Sequence, residues 1–164
     1  MYDQRKAHYI VVTAIIVKDG KYLIAKRSEK EAAFPGLWTV PGGKLNMQDY
    51  TDRPKDTGDL WYNIFEDLVR REVKEEVNLE IKNIGYVTSI AYIRSDNIPT
   101  IIVSMYADYA KGEVLLSHEL IEYAWVNLEE AKCYHLIDGI YEELELFNSR
   151  QKGMNEESWT NRPK

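Results

Sequence analysis

The chain has 164 residues, 45% of them apolar, which suits one domain with a sizeable core. A formal charge of -6 argues against a general nucleic-acid binder or a protein held on an anionic membrane, since phosphate backbones demand clustered Lys and Arg. It leaves room for a small phosphorylated ligand carried by a metal ion. The one cysteine, Cys133, excludes an intramolecular disulfide, argues against metal ligation by thiolates, and points to a reducing cytoplasm.

Tyr9–Val17 is an apolar run rich in Val and Ile. It is too short to span a bilayer and lacks a cleavage signal, so it reads as a buried strand. Asp19-Gly20 is a turn signal, and Lys21–Arg27 reads as the second strand of a hairpin. After a polar loop, Leu37–Val40 is a short strand running into Pro41-Gly42-Gly43-Lys44, which reads as a turn. Residues 46–59 are polar and read as an extended loop. Thr57 or Asp59 is a suitable cap for a helix over Leu60–Val77, whose buried side is marked by Phe65, Val69, Val73 and Val77. Asn78 is the stop signal.

Strands are expected over Ile81–Arg94, Pro99–Tyr109 and Tyr123–Val126, with a helical turn at Leu128–Cys133 and a last helix at Ile137–Phe147. The layout is α+β, with helices packed on a mixed sheet, in one domain over residues 1–148. Residues 149–164 form a polar tail, expected to be mobile.

The stretch REVKEE, Arg71–Glu76, carries three glutamates. On a helix Glu75 lies about 60° to one side of Glu72 and Glu76 about 40° to the other, so all three share one arc beside the valine stripe. Taken alone, the segment is most simply a solvated face paired with Arg70, Arg71 and Lys74. Three crowded carboxylates also suit a hard divalent cation. Two other segments bear on the choice. The adjacent glycines Gly42 and Gly43 let backbone approach an ion or a phosphate. Glu119 lies in a loop leading into a strand. His8, His118 and His135 share no metal-ligand spacing, and no serine sits in a nucleophile-elbow pattern.

Together these segments resemble the Nudix hydrolase family, whose box is G-x5-E-x7-R-E-U-x-E-E-x-G-U, with U apolar. Arg71–Leu79 fits its second half with Asn78 in place of glycine, a mild change because Asn tolerates the left-handed turn at a helix end. LWTVPGGK looks like the approach to the box, and EYAWVNLEEA like the closing strand and helix. The resemblance covers roughly Tyr9–Phe147. Counted back from Arg71, the first glutamate of the box falls on Asn63, with 14 residues inserted between Gly43 and that position. Glu66, one turn on, is the nearest stand-in.

The resemblance implies an α/β/α sandwich around a mixed sheet. It also implies hydrolysis of a nucleoside diphosphate linked to a further group, with Mg2+ (or Mn2+) as cofactor. By the same resemblance Glu72, Glu75 and Glu76 are metal ligands, with Glu72 a ligand or the general base. The Gly42 carbonyl and Glu119 are further ligands, Arg71 orients the glutamates, and Arg27 touches substrate phosphates. The leading expectation is a nucleoside triphosphate pyrophosphohydrolase of the MutT-like branch. An ADP-ribose or nucleotide-sugar pyrophosphatase and a weakly catalytic nucleotide sensor are the alternatives. The expected partner is a small nucleotide, and a homodimer is compatible with the resemblance. Trp38, Tyr92 and Tyr106 are candidates for stacking on a base.

Overall fold

The apolar run near the N-terminus becomes the centre of the sheet. The computed structural model of the protein describes residue 1 and residues 3–153. Strand β1 (Tyr9–Lys18) turns at Asp19 and Gly20, both with positive φ (50° and 73°), into β2 (Lys21–Arg27). Then follow β3 (Trp38–Thr39) and β4 (Gly42–Lys44).

Strand β4 corrects the reading of PGGK as a turn. Gly42–Lys44 pairs antiparallel with β1, Gly42 opposite Thr13 and Gly43 opposite Val12. The glycines permit a close approach rather than a bend: a Cβ on Gly42 would stand 2.3 Å from the Val12 carbonyl oxygen.

The polar stretch after β4 is also less irregular than expected. It holds a short helix, α1 (Gln48–Thr51), whose Thr51 hydroxyl donates to the Met47 carbonyl at 3.1 Å. Helix α2 (Ile64–Val77) starts later than the caps Thr57 or Asp59 would place it. The reason is local. The Arg53 guanidinium bonds Asp56 Oδ2 and the Tyr62 carbonyl, and the Tyr62 N–H donates to Asp56 Oδ2, so residues 53–62 fold on themselves. Asn63 then turns the chain into the helix with φ 56°. At the far end Asn78 adopts φ 59° and its N–H donates to the Lys74 carbonyl, the left-handed stop expected of it.

Strands β5 (Glu80–Ile93) and β6 (Pro99–Lys111) form a long hairpin, and β7 (Leu120–Val126) is longer than its apolar end suggested. Helix α3 (Leu128–Ala131) opens with a capping box between Asn127 and Glu130. Helix α4 begins at Ile140 rather than Ile137 and ends at Gln151 rather than Phe147, burying Ser149. Residues 154–164 of the polar tail lie outside the described residues.

The sheet is mixed, in the order β3-β2-β1-β6-β5, with β4 also on β1 and β7 also on β2. The β1–β6 pairing is parallel, from Tyr9 opposite Thr100 to Val17 opposite Asp108. Residues alternate between the two faces along β1. Val12, Ala14 and Ile16 pack with Leu68, Val69, Val73 and Val77 of α2. Ile15 on the other face packs with Ile140, Leu144 and Phe147 of α4. The result is the expected three-layer sandwich, helix on sheet on helix. Among the described residues no helix is long and apolar enough to cross a membrane.

Candidate active site

The valine stripe fixes the roll of α2. With Val69, Val73 and Val77 inward, Glu72 and Glu76 face the β1–β4 edge and Glu75 faces outward. Glu76 is buried, and its Oε2 accepts a hydrogen bond of 2.9 Å from the Gly42 N–H. Burial pushes the Glu76 carboxyl up to about 7; Gly42 pulls it back, and neighbouring Glu72 and Glu119 push it further. Glu72 lies against Gly43, where a Cβ would stand 2.1 Å from its carboxylate. The two glycines therefore do different things. One lets β4 lie on β1, and the other leaves the space that Glu72 occupies.

Arg71 stands in a ring of acids. Its Nη2 is 2.8 Å from Glu72 Oε1 and 3.0 Å from Asp49 Oδ1, and its Nη1 is 2.8 Å from Glu75 Oε2. Burial opposes its charge, but Glu72, Asp49 and Glu75 raise its pKa overall. Glu72 itself is raised, first by burial, with Arg71 pulling the other way. Asp49 was not foreseen. It stands six residues after Gly43, the spacing at which the box has its first glutamate, and counting forward from Gly43 would have found it. Asn63, found by counting back, is exposed at the helix start, and Glu66 is not among Arg71's ion-pair partners. The 14 inserted residues therefore fall after the acid, between Asp49 and Arg71.

Glu119 reaches this edge through the loop before β7. The Ser117 N–H donates to the Glu76 carbonyl (2.9 Å), and the Glu119 carbonyl accepts from the Ser28 N–H (2.8 Å). That places Glu119 close enough to act on Glu76. Arg27 also acts on Glu76, but its side chain is engaged elsewhere. Its Nε donates to the Ala33 carbonyl (2.8 Å) and its Nη2 pairs with Glu31 (3.0 Å). Of the three stacking candidates, Trp38 packs on Tyr134 and Tyr106 on Phe147, whereas the half-buried Tyr92 faces Phe34.

The oxygen donors of this edge fit a hard divalent cation. Carboxylates held together at the cost of raised pKa values are what such an ion relieves. Among the described residues no three His, Cys, Asp or Glu side chains already stand at the separations one ion needs. Glu72 and Glu75 are turned to Arg71 instead.

A family model described as NUDIX domain matches residues 7–147. Among curated proteins, the nucleoside triphosphatase NudI of Salmonella agona (strain SL483) is 26% identical over 136 residues, covering 77% of this chain and 86% of that one. Among solved structures, the MutT protein from Methanosarcina mazei Go1 superposes with a TM-score of 0.68 at 27% identity, covering 90% of this chain and 97% of that one. The NUDIX domain of Shewanella oneidensis NrtR, solved with ADP ribose, reaches 0.68 at 19% identity over 92% and 94% of the two chains, which shows a shared fold.

Proposed function

The chain belongs to the Nudix hydrolase family, and on that premise we propose that it cleaves the diphosphate linkage of nucleoside triphosphates with Mg2+ or Mn2+. One observation carries the reading: the buried Glu76 carboxylate, fixed by the Gly42 N–H, with Glu72 and Glu119 near enough to act on its charge. The NudI relative supports the triphosphate preference.

In this reading Glu76, Glu72, Glu75, Glu119 and the Gly42 carbonyl hold the metal ions. A bound metal supplies charge neutralisation at the phosphoryl oxygens and acidifies water. The chain's own part is positional. Gly42 holds Glu76 in place, Arg71 bridges Glu72, Glu75 and Asp49, and Glu72 is the residue to take the proton from the attacking water. Arg27 acts through the loop it ties to Ala33 and Glu31. The substrate is a small nucleotide rather than a polymer or a membrane, in keeping with the charge of -6. The setting is the cytoplasm, in keeping with the lone cysteine. Residues 1–148, together with the last turn of α4 to Gln151, act as one domain.

A second reading, a domain that binds nucleotide and turns it over slowly, takes its support from Glu72 and Glu75 being committed to Arg71. The test is a screen for phosphate and pyrophosphate release with MgCl2 over nucleoside triphosphates, oxidised nucleotides, ADP-ribose and nucleotide sugars. Pyrophosphate from a triphosphate supports the first reading. Nucleotide binding without release favours the second.

A further inference from the structure

The face of the sheet that carries α4 is only half covered by it. The covered half holds Ile15, Tyr22 and Val87. On the other half a row crosses the sheet, because Tyr9 of β1 pairs with Thr100 of β6, which pairs with Tyr92 of β5. A neighbouring row holds Lys44, Val11, Ile102 and Ile90. A Cβ on Gly139, just before α4, would lie 3.8 Å from Ile90, which identifies the face. Lys44 and Arg94 both stand over the Tyr9 ring, at 5.7 and 5.4 Å. The area is thus aromatic and cationic in an acidic protein. It begins at Lys44, next to the glycine that accommodates Glu72.

One residue arrives there from the loop after β2. Phe34 lies with its ring centroid 6.5 Å from that of Tyr92, the planes at 54°. The loop is pinned on both sides of it. Arg27 holds the Ala33 carbonyl, and Gly36 (φ 70°) packs on the Glu29 carboxylate, where a Cβ would stand 2.4 Å from Oε1. Phe34 is left with φ 52° and an exposure of 42%. A bulky apolar residue held in left-handed backbone and half in water contributes little to folding.

We infer that Phe34 and Tyr92 are the two sides of a stacking clamp for the base of the substrate, which is therefore recognised by its aromatic face more than by its hydrogen-bonding edge. This rests on the nucleotide reading above. Insertion of a base needs the rings to turn parallel at roughly 7 Å, two stacking distances, a small change from the observed separation. The phosphates then pass round the β4 edge at Lys44, whose neighbour Gly43 faces Glu72 on the other side of the sheet.

The test is calorimetric titration, with MgCl2, of α,β-methylene analogues of ATP and CTP and of inorganic tripolyphosphate, into wild type, Phe34→Ala, Tyr92→Ala and Tyr92→Phe. Each alanine variant should weaken both nucleotide analogues about tenfold or more, with tripolyphosphate unchanged and Tyr92→Phe close to wild type. Nucleotide affinities within twofold of wild type in both alanine variants overturn the clamp while leaving the nucleotide reading standing. An equal loss for tripolyphosphate also overturns it, since the rings would then act through the loop. A loss confined to one base overturns recognition by the face. Wild type that binds none of the three probes overturns the nucleotide reading, and the clamp with it.

Discussion

Asp49 Oδ1 lies 3.0 Å from Arg71 Nη2, and the same carboxylate accepts the Asn46 N–H through Oδ2 at 2.7 Å. A single side chain thus ties the segment after β4 to the helix that carries the glutamates. Its side chain is only 12% exposed, so the pair is shielded better than a surface ion pair. Asp49→Ala is expected to lower kcat/KM by about tenfold or more, because Arg71 loses a constraint and Glu72 shifts with it. Asp49→Glu should recover part of that loss. Steady-state kinetics on both variants checks this; equal activity in Asp49→Ala would leave Asp49 with no positioning role.

Glu76→Gln separates chemistry from folding. The amide oxygen can still accept from the Gly42 N–H, and the cost of a buried carboxylate disappears. Turnover should fall by about a hundredfold or more while Tm stays level or rises. Chelation with EDTA should abolish wild-type turnover in the same assay, restored by added MgCl2. A variant with near-normal activity would remove Glu76 from the metal site.

The adjacent glycines should respond differently. Gly42→Ala forces a Cβ into the Val12 carbonyl, 2.3 Å away on a paired strand, so it should cost about 1–3 kcal/mol of stability. At Gly43 the Cβ meets the Glu72 carboxylate at 2.1 Å, and a side chain can swing aside. Gly43→Ala should therefore keep most of its stability and lose activity. Chemical denaturation beside a turnover assay tests the contrast, and equal stability losses would contradict it.

Glu143 provides a pH test away from the site. It is buried on α4, and burial pushes its carboxyl up to about 7, with the Ser104 hydroxyl pulling back and Glu142 adding to the rise. The Ser104 hydroxyl lies beside the carboxyl and lowers its pKa, but the geometry is poor, and Ser104 Oγ and Glu143 Oε2 are both buried without a well-formed hydrogen bond. The folded chain holds this proton between the ordinary value of 4.5 and about 7, where the unfolded chain has released it. Stability from this group is therefore greatest below pH 4.5, falls as pH rises to about 7, and then levels. Glu143→Gln should lack that slope and be more stable than wild type at pH 8, by roughly 1–3 kcal/mol. Denaturation curves at pH 5 and pH 8 compare the two; parallel behaviour would mean that Glu143 titrates normally.

Much of this was legible in the chain. The Val- and Ile-rich run Tyr9–Val17, the four-residue recurrence of Val69, Val73 and Val77, and the Asp19-Gly20 turn are local signals, because composition, backbone geometry and side-chain period act over a few residues. They were enough for the longer strands, for the body of α2 and for the acidic arc of Glu72, Glu75 and Glu76. The segments whose shape depends on distant partners were misread. PGGK looked like a turn because its strand pairing lies on β1, about thirty residues back, and no local pattern encodes that contact. Helix α2 was started too early because Arg53, Asp56 and Tyr62 fold the preceding residues on themselves.

The sequence by itself determined which residue types could do the chemistry and which helix would carry them, since an amphipathic helix aims its side chains by period alone. Only the tertiary structure decided which groups meet. It buried Glu76 under the Gly42 N–H, brought Asp49 rather than Asn63 to Arg71, turned Arg27 onto its own loop, and packed Trp38 and Tyr106 away while leaving Tyr92 facing Phe34. Each of these depends on chain closure between residues far apart in sequence, and the burial that sets their charge and exposure exists only once the sheet and both helices have come together.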